Sequence, residues 1–306
     1  MDHVTAILVS VLLAAAPLLF AALGELVTEK SGVLNLGVEG MMLVGAVCGF
    51  AVTAHSGHAA LGILAAALAG MALSALFALL TLVLLANQVA TGLALTLFGV
   101  GLSALVGKPF VGTPLEKLPD LPLPLLSHLP LLGPLLFDRD PLIYLAALLT
   151  LAVGWLLART RAGLVVRAVG ENPEAAHALG YPVRLIRFAC ILFGGAMAGL
   201  GGAYLSLAYT PMWAEDMTAG RGWIALALVV FSTWRPGRLV LGALLFGAFT
   251  IAQLHAQALG LAVPPEFLAM LPYLATILVL VLISRDAARI RLNAPAAIGK
   301  TFHPDH

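Results

Sequence analysis

The stretch that organises this chain is GLVVRAVGENPEAAHALGYPVRLIR, residues 163–187, the longest polar break in an otherwise apolar sequence. A short helix with defined ends is predicted within it. Asn172 is a good N-cap, and Pro173 suits the first helical position, where no N–H is needed. Gly180 can adopt the left-handed conformation that ends a helix. We therefore expect a short capped helix that lies on the cytoplasmic membrane surface and touches another protein.

Composition places the chain in a membrane. Of its 306 residues 61% are hydrophobic and only 10% are charged, and the mean hydropathy is +1.03. Apolar runs long enough to cross a bilayer recur from end to end, which indicates a polytopic membrane protein. The formal net charge is only +1, so no nucleic-acid partner is expected. Cys48 and Cys190 lie inside apolar runs and are expected to be core residues.

The chain is predicted to form one all-α polytopic membrane domain, residues 1–306, with about nine transmembrane helices. The predicted spans are 4–23, 32–54, 59–86, 89–106, 141–158, 188–209, 222–233, 239–259 and 267–283. The count ranges from eight to ten, because the seventh is short and the second becomes two if it breaks near Gly37. A polar turn is predicted at 24–31. The Pro-rich loop 108–140 is too broken for a span and is expected to cap the outer surface.

Charge asymmetry orients these spans. Twelve of the sixteen Lys and Arg residues lie in four segments, namely the turn at 24–31, the loop 159–187, the turn at 235–238 and the tail 285–306. Because positive residues favour the inner side, these segments are placed in the cytoplasm. With nine spans the N-terminus lies outside, whereas a broken second span would move it inside.

Polar residues inside the apolar runs are candidates for a solute pathway. A carboxylate such as Glu39 within a span costs about 2.5–3.5 kcal/mol on insertion scales, so it should face protein or water. Asn35 lies four residues earlier and would share a helix face with it. Both could line a pathway or merely tie helices together. Asn87 and Gln88 could extend the pathway or cap the start of a helix.

A third polar group lies on the predicted outer side and comprises Glu215, Asp216, Thr218 and Arg221. It could form a pathway mouth or a receptor-docking surface, and a self-paired solvated loop is the alternative. The segment 294–301, APAAIGKT, loosely matches a phosphate loop but follows no strand. No catalytic or metal-binding pattern is present, so the chain is not expected to be an enzyme or to bind a metal or cofactor itself.

Four runs resemble the permease subunits of ABC importers, and most closely the branch that imports nucleosides and simple sugars. They are GVLNLGVEGMMLVGA (32–46), NQVATGLAL (87–95), GENPEAAHALGY (170–181) and MTAGRGWIALALVVF (217–231). The resemblance implies alternating access in the bacterial inner membrane, in contact with membrane lipid. It also implies three partners: a second and different permease, an ATPase subunit that uses ATP and Mg, and an extracytoplasmic solute-binding lipoprotein.

The resemblance further implies that the helix near 172–179 is the coupling helix, which docks in a groove of the ATPase. The residues assigned to that contact are Glu171, Asn172, Pro173, Glu174, Ala175, Ala176 and Gly180. The sequence departs from the family after Phe231, where Ser232, Thr233 and Trp234 replace an expected glycine.

Three other functions remain open at this point. A permease for branched-chain amino acids would need a cation and an anion inside the membrane, and Glu39 is the only charged residue predicted there. An ion-coupled secondary transporter would use Glu39 as its ion site. A membrane scaffold would move no solute.

Overall fold

The computed structural model describes residues 3–122, 133–258 and 293–303, together with 264, 267, 270, 271, 273, 274, 277 and 281. The α-helices in these residues are α1 (His3–Lys30), α2 (Val38–Ser56), α3 (Ala59–Ala78), α4 (Gln88–Gly107), α5 (Pro141–Arg159), α6 (Arg161–Glu171), α7 (Pro173–Ala178), α8 (Val183–Ala203), α9 (Arg221–Phe231) and α10 (Pro236–Ala258). Two short strands, β1 (Leu121–Pro122) and β2 (Asp138–Arg139), pair antiparallel.

Seven helical segments of the described residues are long and apolar enough to cross a membrane. They are His3–Lys30, Val38–Ser56, Ala59–Val83, Gln88–Phe110, Pro141–Arg159, Val183–Tyr209 and Pro236–Ala258. The third and sixth include a wider π-helical turn at the end of α3 and of α8. α9 replaces the predicted span 222–233; its 11 residues cover only about 16 Å of a roughly 30 Å core. The predicted span 267–283 lies mostly outside the described residues.

The two ends of the helix bundle are distinct. At one end Lys30 donates from Nζ to the Asn293 carbonyl at 2.7 Å, and Arg187 donates from Nε to the Ser31 carbonyl at 3.1 Å. This end of the bundle is called the tail face, and it comprises Lys30, α6, α7 and residues 293–303. The other end is called the opposite face, and there Phe110 packs edge-on against Phe50. α1 ends at the tail face with Lys30, and its 28 residues cross the bundle, so α1 starts at the opposite face.

The polar turn predicted at 24–31 is wrong, because α1 continues through Lys30. Its polar residues are buried and bonded inside the bundle instead of solvated. Thr28 Oγ1 lies 3.1 Å from the Gly24 carbonyl and 3.2 Å from the Cys190 carbonyl. The chain turns at 31–37, which is non-helical, so α2 begins six residues after the predicted start of its span.

The glycines of α8 let neighbouring helices approach its backbone closely. A Cβ atom on Gly199 would overlap the Ala66 carbonyl of α3, and one on Gly45 of α2 would overlap Gly199. The backbones of α2, α3 and α8 thus meet directly, as small residues allow in membrane proteins. This packing fixes the frame in which the polar residues of α2 are held.

Candidate transport site and coupling surface

Glu39 is the centre of the most connected polar site in the described residues. It lies in the first turn of α2 and is only 4% exposed. Its Oε1 accepts a hydrogen bond from Thr218 Oγ1 at 2.5 Å and from the Gly220 backbone N–H at 2.8 Å. Its Oε2 accepts from the Gly222 backbone N–H at 2.5 Å. Three donors therefore satisfy one buried carboxylate.

These bonds cap the start of α9 from a different helix. Gly220 occupies the N-cap position with a left-handed φ of +81° and offers no side chain to the orphan N–H groups. The Glu39 carboxylate supplies the missing acceptor, and a negative charge is favourable at this end of the helix dipole. We call Glu39, Thr218, Gly220 and Gly222 the α9 joint.

The other end of α9 is also held by a carboxylate of a distant helix. Trp234 Nε1 donates to Glu29 Oε2 at 2.5 Å, one residue before α1 ends at the tail face. Thr233 and Trp234 both have left-handed φ values, +51° and +54°, at the place where a glycine was expected. α9 is thus a half-length helix that starts within the bundle and ends at the tail face.

Asn35 lies before α2, so the prediction that it shares a helix face with Glu39 is wrong. Its Oδ1 accepts from the Gly37 N–H at 2.9 Å, and its own N–H donates to Glu25 Oε1 at 3.1 Å. Thr96 of α4 donates from Oγ1 to the Leu36 carbonyl at 2.9 Å. These bonds keep residues 31–37 non-helical and packed against α4.

Asn87 and Gln88 have separate roles at the tail face. Asn87 is the N-cap of α4, with Oδ1 accepting from the Ala90 N–H at 3.0 Å, so the capping alternative is confirmed for it. Gln88 is buried; its Oε1 accepts from the Leu34 N–H at 2.9 Å and its Nε2 donates to the Lys300 carbonyl at 3.5 Å. Gln88 therefore joins the 31–37 segment to the tail.

The third predicted group divides into two parts. Thr218 is buried in the α9 joint, and Arg221 donates from Nη1 to the Met217 and Thr218 carbonyls at 3.2 and 3.1 Å. Glu215 and Asp216 are exposed. A cavity of about 90 Å³ lies between Arg221 and the end of α8. Two groups far apart in sequence, Glu39 and Thr218, are thus brought into contact.

Sequence analysis missed three buried ionisable residues. Glu25 and Glu29 were placed in a turn and are each 1% exposed in α1. Arg187 was placed in a loop and is fully buried in α8, with Nη1 donating to the Lys300 carbonyl at 3.1 Å. A signal was present for the two carboxylates, because 24–30 contains no proline and only one glycine to end α1.

The predicted caps of the surface helix, α7, are confirmed. Asn172 Oδ1 accepts from the Ala175 N–H at 2.9 Å, and Pro173 is the first helical residue. Gly180 has a φ of +87°, and its N–H donates to the His177 carbonyl at 2.8 Å. The next N–H donates to the Ala176 carbonyl at 3.1 Å, which completes a Schellman motif.

α7 is attached to the protein along one side only. Ala176 is buried with Val169, Val183 and Phe302, while His177 meets Phe302 edge-on with ring centroids 5.5 Å apart. The other residues assigned to the coupling contact are exposed or half-buried, and they are Glu171, Asn172, Pro173, Glu174, Ala175 and Gly180. Leu179 is 78% exposed. α7 thus presents acidic and apolar side chains on a small protruding surface.

α6 was not predicted. It begins at Thr160, whose Oγ1 accepts from the Gly163 N–H at 3.0 Å, and it buries Val166 and Val169. The sequence carried this signal, since apolar residues recur three and four positions apart between Arg161 and Arg167. Gly170 packs so closely on the Lys30 carbonyl that no side chain would fit. α6 therefore connects α7 to the end of α1.

The architecture is that of a membrane transport protein. Membrane-spanning helices form a bundle, the half-length helix α9 starts within it, and α7 protrudes from its surface. Comparison with known proteins identifies the family of transport proteins. The family model described as the permease component of the branched-chain amino acid transport system matches residues 7–281. The chain belongs to this family. No solved structure matches it.

Three curated relatives share most of their length with this chain. A protein of Haloferax volcanii named as a putative glucose ABC transporter permease is 43% identical, covering 95% of both chains. A nucleoside ABC transporter permease of Lactococcus lactis is 35% identical, covering 97% of this chain and 96% of the relative. A guanosine ABC transporter permease of Bacillus subtilis is 31% identical, with 87% and 88% covered. The chain is therefore a permease subunit of an ABC importer, a multi-pass protein of the inner membrane.

Proposed function

We propose that this permease translocates an uncharged ribosyl or hexose solute, a nucleoside or a simple sugar. The support comes from the relatives named above, which carry glucose or nucleosides and match along nearly the whole chain. The α9 joint agrees with an uncharged solute, because all the hydrogen bonds found for the Glu39 carboxylate are to the protein itself. A zwitterionic amino acid would require free charges of both signs in the pathway.

The solute pathway is proposed to run beside the 31–39 segment and the start of α9. Asn35, Glu39, Asn87 and Gln88 would border it toward the tail face. Glu215, Asp216, Thr218 and Arg221 would border it toward the opposite face, where the receptor delivers the solute. With α9 fixing α1 and α2 at its joint, rocking of the surrounding helices would open one side and then the other, as alternating access requires.

Energy is proposed to enter through α7. In this proposal the tail face is cytoplasmic, a separate ATPase subunit grips α7, and ATP with Mg is consumed only in that partner. A second permease and an extracytoplasmic solute-binding lipoprotein complete the importer. Two contacts support a path from α7 into the membrane: the Ala297 N–H donates to the Gly170 carbonyl at 2.9 Å, and Val183 of α8 packs on Ala176. Movement of α7 would therefore reach α8, and it would reach α1 through Gly170, which packs on the Lys30 carbonyl.

The coupling surface is tested by changing its two exposed acids, Glu171→Ala with Glu174→Lys, in the assembled importer. We expect the ATPase subunit to co-purify less well and solute-stimulated ATP hydrolysis to fall, with membrane insertion unchanged. The matched control, Glu116→Lys with Asp120→Ala, makes the same charge change on exposed residues of the opposite face. Normal solute-stimulated hydrolysis in the α7 variant would contradict the proposal.

The solute class is tested separately by uptake in cells that express the whole importer. Labelled guanosine, glucose and leucine are compared, each with an excess of the unlabelled competitors. We expect uptake of the nucleoside or the sugar, and it should stop when the ATPase subunit is deleted. Uptake of leucine alone would assign the chain to branched-chain amino acids. Uptake that survives loss of the ATPase but not an uncoupler would assign it to ion-coupled transport.

A further inference from the structure

An open cavity of about 320 Å³ lies at the tail face, and Glu171 of the proposed coupling contact is part of its lining. One wall is a single stripe of α6, formed by Leu164, Arg167, Ala168 and Glu171. Their spacing of three and four residues places them on one helix face. Lys30, at the end of α1, and residues 293 and 295 form the other wall. The opposite face of α6 is the one that packs on the bundle.

The cavity is predominantly basic. Lys30 donates to the Asn293 carbonyl, and Arg167 donates from Nε to the Gly163 carbonyl at 3.4 Å, so the bonds found for both cations are to backbone oxygens and not to carboxylates. The positive charges of Arg167 and Arg235 and the negative charges of Glu171 and Glu29 all act on Lys30. Glu171 is the acidic residue of the lining. Two cationic groups therefore converge on one cavity with donors left for an anion.

The position of the cavity favours a lipid over a free anion. Lys30 ends a membrane-spanning helix, so the cavity lies at the level where headgroups meet water. Leu164, in the cavity wall, is 59% exposed, which leaves an apolar surface beside the basic one. An anionic phospholipid satisfies both, because its phosphate can lie between the two cations while its acyl chain covers the leucine.

We propose that this cavity binds the phosphate headgroup of an anionic phospholipid, with Lys30 and Arg167 as its ligands and Leu164 against its acyl chain. The bound lipid would hold α6 against the end of α1. Since α6 connects α7 to α1, the lipid would stiffen that connection. The contact between α6 and α1 would then be more stable in membranes rich in anionic lipid than in membranes of neutral lipid.

The test uses the purified full-length chain in nanodiscs of phosphatidylcholine, with or without phosphatidylglycerol. We expect phosphatidylglycerol to raise the melting temperature and to remain bound in native mass spectrometry. Lys30→Gln with Arg167→Gln should weaken its retention roughly 30-fold, at about a factor of five for each basic group near the surface. Arg167 is exposed, so Arg167→Gln alone provides a variant that keeps the fold.

The matched control is Arg159→Gln with Arg184→Gln, which removes two cations of the same loop that do not line the cavity. Equal loss of phosphatidylglycerol from the control would overturn the proposal, because it would indicate attraction by net charge alone. The same stabilisation by millimolar inorganic phosphate in phosphatidylcholine would overturn the lipid assignment. Unchanged retention of phosphatidylglycerol by the Lys30 and Arg167 variant would overturn the proposal outright.

Discussion

α7 and α9 are both short helices, but they are held in opposite ways. α7 is closed by bonds within residues 172–181, and beyond these it relies mainly on the packing of Ala176. α9 depends on residues far away in sequence. Its start is bonded to Glu39, about 180 positions earlier, and its end to Glu29.

This difference separates two mechanical roles. A helix with local caps keeps its own structure when it moves, so α7 can be displaced by a partner as a rigid unit. A helix with remote caps fixes the position of the elements that supply them, so α9 ties α1 and α2 together inside the membrane. The predictions below test whether substitutions at the ends of α9 destabilise the whole protein, while those at the cap of α7 have only a local effect.

The largest effect is expected at the α9 joint. Glu39→Ala leaves two buried donors and one half-buried donor without an acceptor, at about 1–3 kcal/mol each, so the free energy of unfolding should fall by about 3 kcal/mol or more. Transport by the importer should be lost. Thermal melting of the purified chain and solute uptake measure the two effects. Glu215→Ala removes an exposed carboxylate from the loop that carries Thr218 and should leave the melting temperature unchanged; an equal loss of stability in the two variants would contradict the joint.

A single methyl group at the joint should have the next largest effect. A Cβ atom on Gly222 would lie 2.6 Å from the backbone of Glu39, so Gly222→Ala should destabilise the protein by about 1–3 kcal/mol through overpacking. Gly237 is exposed at the start of α10, and a Cβ atom there meets nothing within 4 Å. Gly237→Ala should therefore be neutral or stabilising. Melting temperatures in the same detergent provide the comparison, and an unaffected Gly222→Ala variant would show that the joint is loose.

Loss of the hydrogen bond at the C-terminal end of α9 should destabilise the protein less than changes at the α9 joint. Trp234→Phe keeps an aromatic ring but removes the N–H that bonds the buried Glu29, at about 1–3 kcal/mol. Trp223→Phe is the matched control, because Trp223 lies in the first turn of α9, is 37% exposed and has no hydrogen bond in the described residues. Intrinsic fluorescence followed through chemical unfolding gives both values. Equal losses would mean that packing, not the bond to Glu29, secures this end.

The contrast between the local caps of α7 and the remote caps of α9 also explains which features the sequence could predict. The caps of α7 were predicted because Asn172, Pro173 and Gly180 lie within nine residues and each acts on its neighbours. For Glu39 the sequence left open a pathway lining or a tie between helices, because its partners Thr218 and Gly222 are brought to it only by folding. The seven long spans followed from hydropathy alone. Local chemistry and composition are visible in one sequence, whereas contacts between distant segments are not.

Two errors have a common physical cause. Glu25 and Glu29 were read as a solvated turn, since charged residues in a membrane protein are more often outside the bilayer. In the fold each accepts a hydrogen bond from a distant group, the Asn35 N–H for Glu25 and Trp234 for Glu29. Burial of a polar residue depends on the partner it finds, and the partner is determined by the tertiary structure.

The smallest effect on stability is expected at the cap of α7. Asn172→Ala removes one acceptor from an exposed N–H, at about 1 kcal/mol, and this loss is confined to a helix that packs on the bundle through one residue. Melting of the whole chain should not change, while the amides of 175–179 should exchange their hydrogens about fivefold faster. Asn87→Ala removes an equivalent cap from α4, which is anchored along its length by α2, so its amides should exchange at nearly the original rate. If Asn172→Ala lowered the melting temperature as far as Glu39→Ala, α7 would be part of the folded core, and its proposed role as an independently moving contact would have to be abandoned.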